Sequence, residues 1–84
     1  MTDFAATYSA EIAVAITPDN STLMPETRGI YVGVGGVVVA LMRGASGAYA
    51  AVTFKNVPSG AVLPIRCTRI NSTSTTATNM LALY

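Results

Sequence analysis

The chain has 84 residues, of which 51% are hydrophobic and only 11% are charged, and its formal net charge is +1. This length predicts a single domain, close to the size at which one hydrophobic core becomes marginal. The small net charge excludes the clustered Lys and Arg residues of a nucleic-acid-binding protein, and the lack of histidine removes the commonest general base of enzymes.

The shortage of charge also predicts assembly. Soluble domains usually carry about 25% charged residues, so this chain has too few charges to cover its surface. We therefore expect copies of the chain, or another protein, to cover part of its apolar surface.

The longest uncharged apolar run, Gly29–Met42, is interrupted by glycines and is shorter than the roughly 20 residues that span a bilayer, so no membrane partner is expected. The N-terminus lacks the basic region of a secretory signal, which predicts a soluble protein made in the cytoplasm.

The first nine residues, Met1–Ser9, show no regular hydrophobic pattern. We expect them to form an N-terminal arm that becomes ordered only when it binds a larger particle, which it contacts through Phe4 and Tyr8. Residues 10–84 are then predicted to form a single β domain.

Alternating apolar residues predict the first strand of this domain at Ile12, Val14 and Ile16. Turn-forming residues and prolines predict loops from Thr17 to Thr27.

The middle of the chain predicts strands separated by glycine-rich turns. A strand is expected at Arg28–Val32, a tight hairpin reversal at Gly33–Gly36, and a continuously apolar strand at Val37–Met42. We expect that last strand to be buried on one face by the core and on the other by a neighbouring subunit. A further turn is predicted at Gly44–Gly47.

Residues Val52–Ile70 predict a central β-hairpin joined at Val57–Gly60, where Pro58 and Gly60 suit a type I turn. Before the turn, Phe54 is expected to face the core and Lys55 to face solvent.

After the turn, Leu63, Ile65 and Cys67 are expected to face inward. Strict alternation would then turn Arg69 inward and Ile70 outward, which requires a bulge or the end of the strand before that point. The chain closes with a predicted strand at Ala77–Tyr84.

Short strands recurring about every ten residues are typical of an all-β fold. We predict a small antiparallel β-sandwich or barrel, jelly-roll-like, with an N-terminal arm.

Few side chains suggest chemistry. Cys67 is predicted to be buried and inert, and the four acidic residues are expected to be solvated, so we predict no enzyme activity, no catalytic residue, no metal site and no cofactor. Lys55, Arg66 and Arg69 could form a basic stripe, which is either the solvated side of a sheet or a contact with an acidic protein surface.

Several segments, in order along the chain, resemble a known family. They are Ala15–Asp19, Thr27–Gly33 with Gly35 and Gly36, Val52–Gly60, Leu63–Arg66, Arg69–Ile70, Thr75–Thr78 and Leu81–Tyr84. Together they resemble the small head-spike base proteins encoded by tailed bacteriophages and by phage-derived gene transfer agents. Two positions depart from the family pattern: Val37 stands where an acidic or polar residue is usual, and Cys67 where Val is more typical.

The resemblance implies a structural virion protein on the outside of a capsid. It serves there as a spike base at the vertices or as a decoration (cement) protein at other positions. The implied partners are the major capsid protein and a spike fibre protein, and the family supplies no catalytic residues. The shortage of charge and the apolar Val37–Met42 run predict a symmetric homo-oligomer, a trimer or a pentamer.

The residues expected at capsid-binding or oligomer interfaces are aromatic residues of the arm, apolar residues of the Val37–Met42 run and basic residues: Phe4, Tyr8, Val37, Val39, Lys55, Arg66 and Arg69. Two other readings remain open. One is a tail or baseplate structural component. The other is a carbohydrate-binding β module, which the absence of Trp disfavours.

Overall fold

The computed structural model describes residues 10–84, and all of their regular structure is β-strand. The strands are β1 (Ala13–Ala15), β2 (Gly29–Val34), β3 (Gly36–Arg43), β4 (Tyr49–Val57), β5 (Ala61–Leu63), β6 (Arg69–Ile70) and β7 (Thr78–Leu83). They pair antiparallel in two sheets, which confirms the predicted all-β sandwich. The predicted arm, Met1–Ser9, lies outside the described residues.

Sheet A has four strands in the order β1-β7-β2-β5. The C-terminal strand β7 lies inside this sheet, because Ala82 pairs with Val14 on one side and with Ile30 on the other. Leu63 of β5 lies opposite Ile30 and completes a row across all four strands. Since Ile30 and Ala82 are buried, this row faces the core.

Sheet B has three strands in the order β4-β3-β6. Strands β3 and β4 form a hairpin around the predicted turn Gly44–Gly47. Near the far end of β4, a β-bulge places Lys55 and Asn56 opposite a single residue of β3. Asn56 has a φ of 58°, and the extra residue turns Val57 back toward the core, where it is buried.

The core lies between the two sheets and is built from both. Its largest fully buried apolar side chains are Ile30, Val32 and Met80 of sheet A with Val38 and Ile70 of sheet B. Removing a side chain of this kind from water stabilises the fold by about 1.5–3 kcal/mol.

The predicted central hairpin is wrong in its pairing. Strand β4 pairs with β3 in sheet B and β5 pairs with β2 in sheet A, so the turn Val57–Gly60 carries the chain from one sheet to the other. A turn forms here, but one residue later than predicted. The N–H of Ala61 donates to the Pro58 carbonyl, so Gly60, with a φ of 82°, takes the third position of the turn and not the fourth position of the expected type I turn. The local signal specifies a reversal, and both a hairpin and a crossing satisfy it.

The segment Gly33–Gly36, predicted as a hairpin turn, also carries the chain from one sheet to the other. We call this segment and the turn Val57–Gly60 the two crossings. Strand β2 continues to Val34, Gly35 alone separates it from β3, and the two strands belong to different sheets.

The two crossings lie against each other. The N–H of Gly35 donates to Ser59 Oγ at 2.8 Å, and the N–H of Gly60 donates to the Val32 carbonyl at 2.7 Å. A Cβ on Gly35 would overlap the Val57 carbonyl oxygen and lie 2.7 Å from the Ser59 nitrogen. Only glycine therefore allows this approach of the two backbones.

Phe54 takes the predicted orientation but does not sit at the centre of the core. It packs against the core from β4 while Lys55 is exposed. Because β4 is an edge strand, Phe54 is only partly buried and its neighbour Val52 remains 41% exposed.

The apolar run Val37–Met42 forms the central strand of sheet B, as its composition predicts. Val38 and Ala40 face the core, and Val39 on the opposite side is also buried, with only 6% of its surface exposed. The chain itself therefore covers Val39, which the sequence assigns to an interface.

The inward positions Leu63, Ile65 and Cys67 belong to the core or pack against it, as predicted. No strand spans residues 64–68, so alternation restarts at β6. As a result Ile70 is buried and Arg69 points away from the core, the reverse of strict alternation.

We expect Gly35→Ala to lower the free energy of unfolding by about 3 kcal/mol or more, since the two crossings would have to separate. Gly47→Asn is the control, because Asn tolerates the left-handed φ of 89° and no atom lies within 4 Å of the added Cβ. Urea unfolding followed by circular dichroism measures both variants. A loss below about 1 kcal/mol for Gly35→Ala would show that the crossings are loosely packed.

Candidate interaction surfaces

The outer side of sheet A presents an apolar face. Its apolar residues alternate with the core positions of the sheet: Ala13, Ala15, Gly29, Tyr31, Val62, Leu81 and Leu83. Gly33 and the polar, exposed Asn79 lie at one end of the same side. One row of this apolar face, from Ala15 through Leu81 and Tyr31 to Val62, crosses all four strands. Val62 is 55% exposed.

The four strands of sheet A contain no charged residue. The outer side of an antiparallel sheet normally alternates to polar residues where it meets water. An uncharged, apolar outer side is instead typical of a protein–protein interface.

The outer side of sheet B has the opposite character. Arg43, Lys55 and Arg69 point away from the core, and the three strands contain no acidic residue. We call this surface the basic face. Lys55 and Arg69 lie on the two strands that flank β3, so the positive charges surround its apolar centre.

Neighbouring side chains hold two of these cations in place. The guanidinium of Arg43 lies 5.5 Å from the ring centroid of Tyr49 and donates to its hydroxyl at 3.2 Å, which raises the pKa of Arg43. Arg69 Nε donates to Asn71 Oδ1 at 2.7 Å. Cations fixed in this way lose less side-chain entropy when they bind an acidic partner.

The structure brings together some of the predicted interface residues. Lys55 and Arg69 share the basic face with the partly buried Val37 of β3. Arg66 lies in the connection after β5, and its guanidinium forms an exposed ion pair with Glu26 at 3.8 Å. Phe4 and Tyr8 lie outside the described residues.

The sequence reasoning missed the apolar face. The alternation of β7 places Leu81 and Leu83 on one side, but Tyr31 and Val62 join them only when β2 and β5 pair in the same sheet. The absence of charge from these strands was the available signal.

A groove opens between the sheets where β1 faces β6. Its volume is about 420 Å³, and its walls include Val14, Ile16, Met24, Ile70, Ala82 and Tyr84. We call it the apolar groove. The loop that follows β1 closes one side, because the N–H groups of Asp19 and Met24 donate to the carbonyls of Ile70 and Thr68.

Cys67 is buried as predicted, and it serves a structural contact. Burial raises the pKa of its thiol, which opposes formation of a reactive thiolate. Thr27 Oγ1 accepts from the Cys67 N–H at 3.1 Å and donates to the Ile65 carbonyl at 3.0 Å. These bonds tie the start of β2 to the connection before β6.

Within residues 10–84, no group of three or more His, Cys, Asp and Glu side chains is arranged to hold a metal ion. No helix in this part of the chain is long and apolar enough to cross a membrane.

Comparison with known proteins found a chain of a solved structure that matches this chain over its full length. Neither a protein-family model nor a curated protein sequence matches the chain. A solved structure described as the capsid of a native GTA (gene transfer agent) particle, computed with C5 symmetry, contains a chain with 30% sequence identity and a TM-score of 0.75. The alignment covers 99% of this chain and 100% of that chain.

This chain belongs to the same family as that GTA capsid chain. The relation confirms the predicted resemblance at the level of a phage or GTA capsid-associated protein. Both the identity and the fold extend over the whole GTA capsid chain, so the two sheets described above are features of the shared domain.

We expect Val62→Lys to reduce self-association, because it would place a charge at the most exposed large side chain of the apolar face, on its edge strand β5. Light scattering after size-exclusion chromatography should show a smaller mass than for the unmodified protein at the same concentration. Val34→Lys is the matched control: Val34 belongs to the same sheet and is 47% exposed, but it lies outside the apolar face. An unmodified protein that is monomeric at micromolar concentration would contradict this prediction.

Proposed function

We propose that the protein is a structural component on the outside of a phage-type or GTA capsid, as a head-spike base or a decoration protein. It acts by binding and catalyses no reaction. The observation that carries this proposal is the full-length relation, at 30% identity, to a chain of a GTA capsid structure. The two outer faces of the sandwich supply the contacts that such a role requires.

The apolar face serves contact between copies in this proposal. It is uncharged and spans a whole sheet, and interfaces between identical subunits are more apolar than transient ones. A symmetric trimer or pentamer would bring the apolar faces of neighbouring copies out of water. The small side chains of the exposed Ala13 and Ala15 allow a neighbouring copy to approach β1 closely.

The basic face serves contact with the major capsid protein. Lys55 is exposed, and the strands around it contain no acidic residue. A surface with this charge favours an acidic partner, because complementary charge speeds encounter and rejects like-charged surfaces. The carboxylate of Glu26 forms an ion pair with Arg66 and interacts electrostatically with Arg43.

Co-sedimentation with capsids from a strain that lacks this gene tests the proposal. We expect the unmodified protein to pellet with the capsids and Lys55→Glu to reduce the bound fraction several-fold, more strongly as salt is lowered. Arg66→Glu changes the net charge equally at an exposed site outside the basic face, so its effect should be smaller.

Two outcomes would contradict the proposal. If the unmodified protein stays in the supernatant, attachment to the capsid is wrong. If Lys55→Glu and Arg66→Glu reduce binding equally, overall charge and not the basic face governs attachment. A fibre that co-purifies with the complex distinguishes a spike base from a decoration protein.

A further inference from the structure

Strand β4 has a long backbone edge without a neighbour. It is the longest of the described strands, with nine residues, and among them it pairs only with β3. Every residue from Tyr49 to Thr53 is exposed, including Val52, which lies on the inner side of sheet B and is still 41% exposed. Sheet A has four strands and sheet B has three, so a further strand beside β4 would give both layers the same width.

The other edges of the two sheets are short or covered. Strands β1 and β5 have three residues each, and Pro58 and Pro64 lie on either side of β5. The loop after β1 covers β6, where the Asp19 N–H donates to the Ile70 carbonyl at 2.8 Å. Proteins protect sheet edges in these ways, because an open edge pairs readily with another chain. Strand β4 is the exception, since its segment Tyr49–Phe54 contains no proline and no charge.

The register of β4 determines which of its backbone groups are free. At the end of the β3–β4 hairpin, the Gly44 N–H donates to the Ala48 carbonyl at 2.7 Å. Hydrogen-bonded and non-hydrogen-bonded pairs alternate along an antiparallel ladder, so the even-numbered residues of β4 before the bulge bond to β3. The N–H and C=O groups of Tyr49, Ala51 and Thr53 therefore point away from β3, toward the free edge.

The hydrogen bonds on the other side of β3 agree with this register. The Asn71 N–H donates to the Val39 carbonyl at 2.8 Å, and the Val39 N–H donates to Thr75 Oγ1 at 3.0 Å. The backbone groups of odd-numbered Val39 thus point away from β4. Its even-numbered neighbours Val38 and Ala40 are left to bond to β4.

The side chains of β4 determine the chemistry of a strand that pairs with this edge. Phe54 and Val52 lie on the inner side of sheet B, where Phe54 packs against the core. Thr53 and Lys55 lie on the outer side, within the basic face. Because successive side chains of a strand point to opposite sides, an added strand would direct alternate residues toward the core and the others toward the cations.

Charge complementarity identifies the outward residues of such a strand as acidic. Lys55 stands at one end of the free edge, and the guanidinium of Arg43 lies 5.5 Å from the Tyr49 ring at the other end. The three strands of sheet B contain no acidic residue that pairs with these cations. Carboxylates on an added strand would be attracted at either end, whereas cationic side chains would be repelled.

We propose that the free edge of β4 binds an extended segment of another protein as a fourth strand of sheet B, and that this segment alternates apolar with acidic residues. Backbone bonds to Ala51 and Thr53 supply affinity, and side chains next to Phe54 and Lys55 supply specificity. The inference rests on the proposed function for the owner of this segment, which is the major capsid protein.

Amide hydrogen exchange, measured by NMR, tests this pairing residue by residue. In the free protein we expect fast exchange at Ala51 and Thr53 and slow exchange at Val52 and Phe54, because only the latter N–H groups bond to β3. A synthetic peptide that alternates valine with glutamate, at saturating concentration, should slow exchange at Ala51 and Thr53 by roughly tenfold or more. A peptide that alternates valine with lysine should leave it unchanged.

Proline at an outward position tests the backbone bonds themselves. Thr53→Pro removes one outward N–H and leaves the bonds to β3 in place, so the glutamate peptide should no longer slow exchange at Ala51. The fraction of Thr53→Pro that pellets with capsids should also fall several-fold. Thr53→Val is the matched control, since it keeps the N–H and the branched shape and should behave like the unmodified protein. Circular dichroism checks the fold, and Ala51→Pro replaces Thr53→Pro if that variant unfolds.

Four results would overturn the proposal. Exchange at Ala51 and Thr53 that the glutamate peptide leaves fast would show that the edge binds no such strand. Equal slowing by the lysine peptide would remove the acidic partner. Slow exchange in the free protein that becomes fast on dilution would assign the edge to a second copy. Equal pelleting of Thr53→Pro and the unmodified protein would leave capsid attachment intact and separate it from this edge.

The peptide experiment also separates this inference from the proposed function. If the glutamate peptide slows exchange at Ala51 and Thr53 while the unmodified protein does not pellet with capsids, the strand-binding edge is supported and attachment to the capsid is wrong.

Discussion

The close approach of two backbone crossings, at Gly35 and at Val57–Ser59, is the constraint on which the rest of this structure depends. At the first crossing the chain leaves sheet A after β2, and at the second it returns from sheet B to form β5. Because β2 and β5 then pair with each other, both crossings must occupy the same end of the sandwich. Glycine at position 35 allows this, since a Cβ would overlap the opposing carbonyl. This contact accompanies the pairing of β5 with β2 in sheet A and of β4 with β3 in sheet B.

This order separates the charges of the chain. Sheet A collects four strands without a charged residue, and sheet B collects Arg43, Lys55 and Arg69 without an acid. A chain with so few charges cannot cover both outer sides with polar groups, and here one side is left apolar while the other receives the cations. Two surfaces of different chemistry suit two different partners. Two such surfaces are what the proposed role would use, with one for contact between copies and the other for contact with a shell.

The strands and the core alternation could largely be predicted, because periodicity and turn residues act over a few neighbouring positions. The pairing of the strands could not be predicted. The turn residues at Val57–Gly60 are the same whether the turn closes a hairpin within one sheet or carries the chain to the other sheet. The deciding contact joins Gly35 to Ser59, which are 24 positions apart. The same limit applies to the surfaces. The scarcity of charge suggests Lys55 and Arg69 as interface candidates, and that assignment stays a prediction. Tyr31 and Val62 become neighbours only after β2 and β5 pair.

Cryo-electron microscopy of capsids that carry this protein tests the central claim, that the two outer faces have different partners. The account predicts density on the outside of the shell in which Lys55 and Arg69 face the capsid protein. Neighbouring copies should meet through Tyr31, Val62 and Leu81. Copies that meet through sheet B, with sheet A exposed to solvent, would contradict the account.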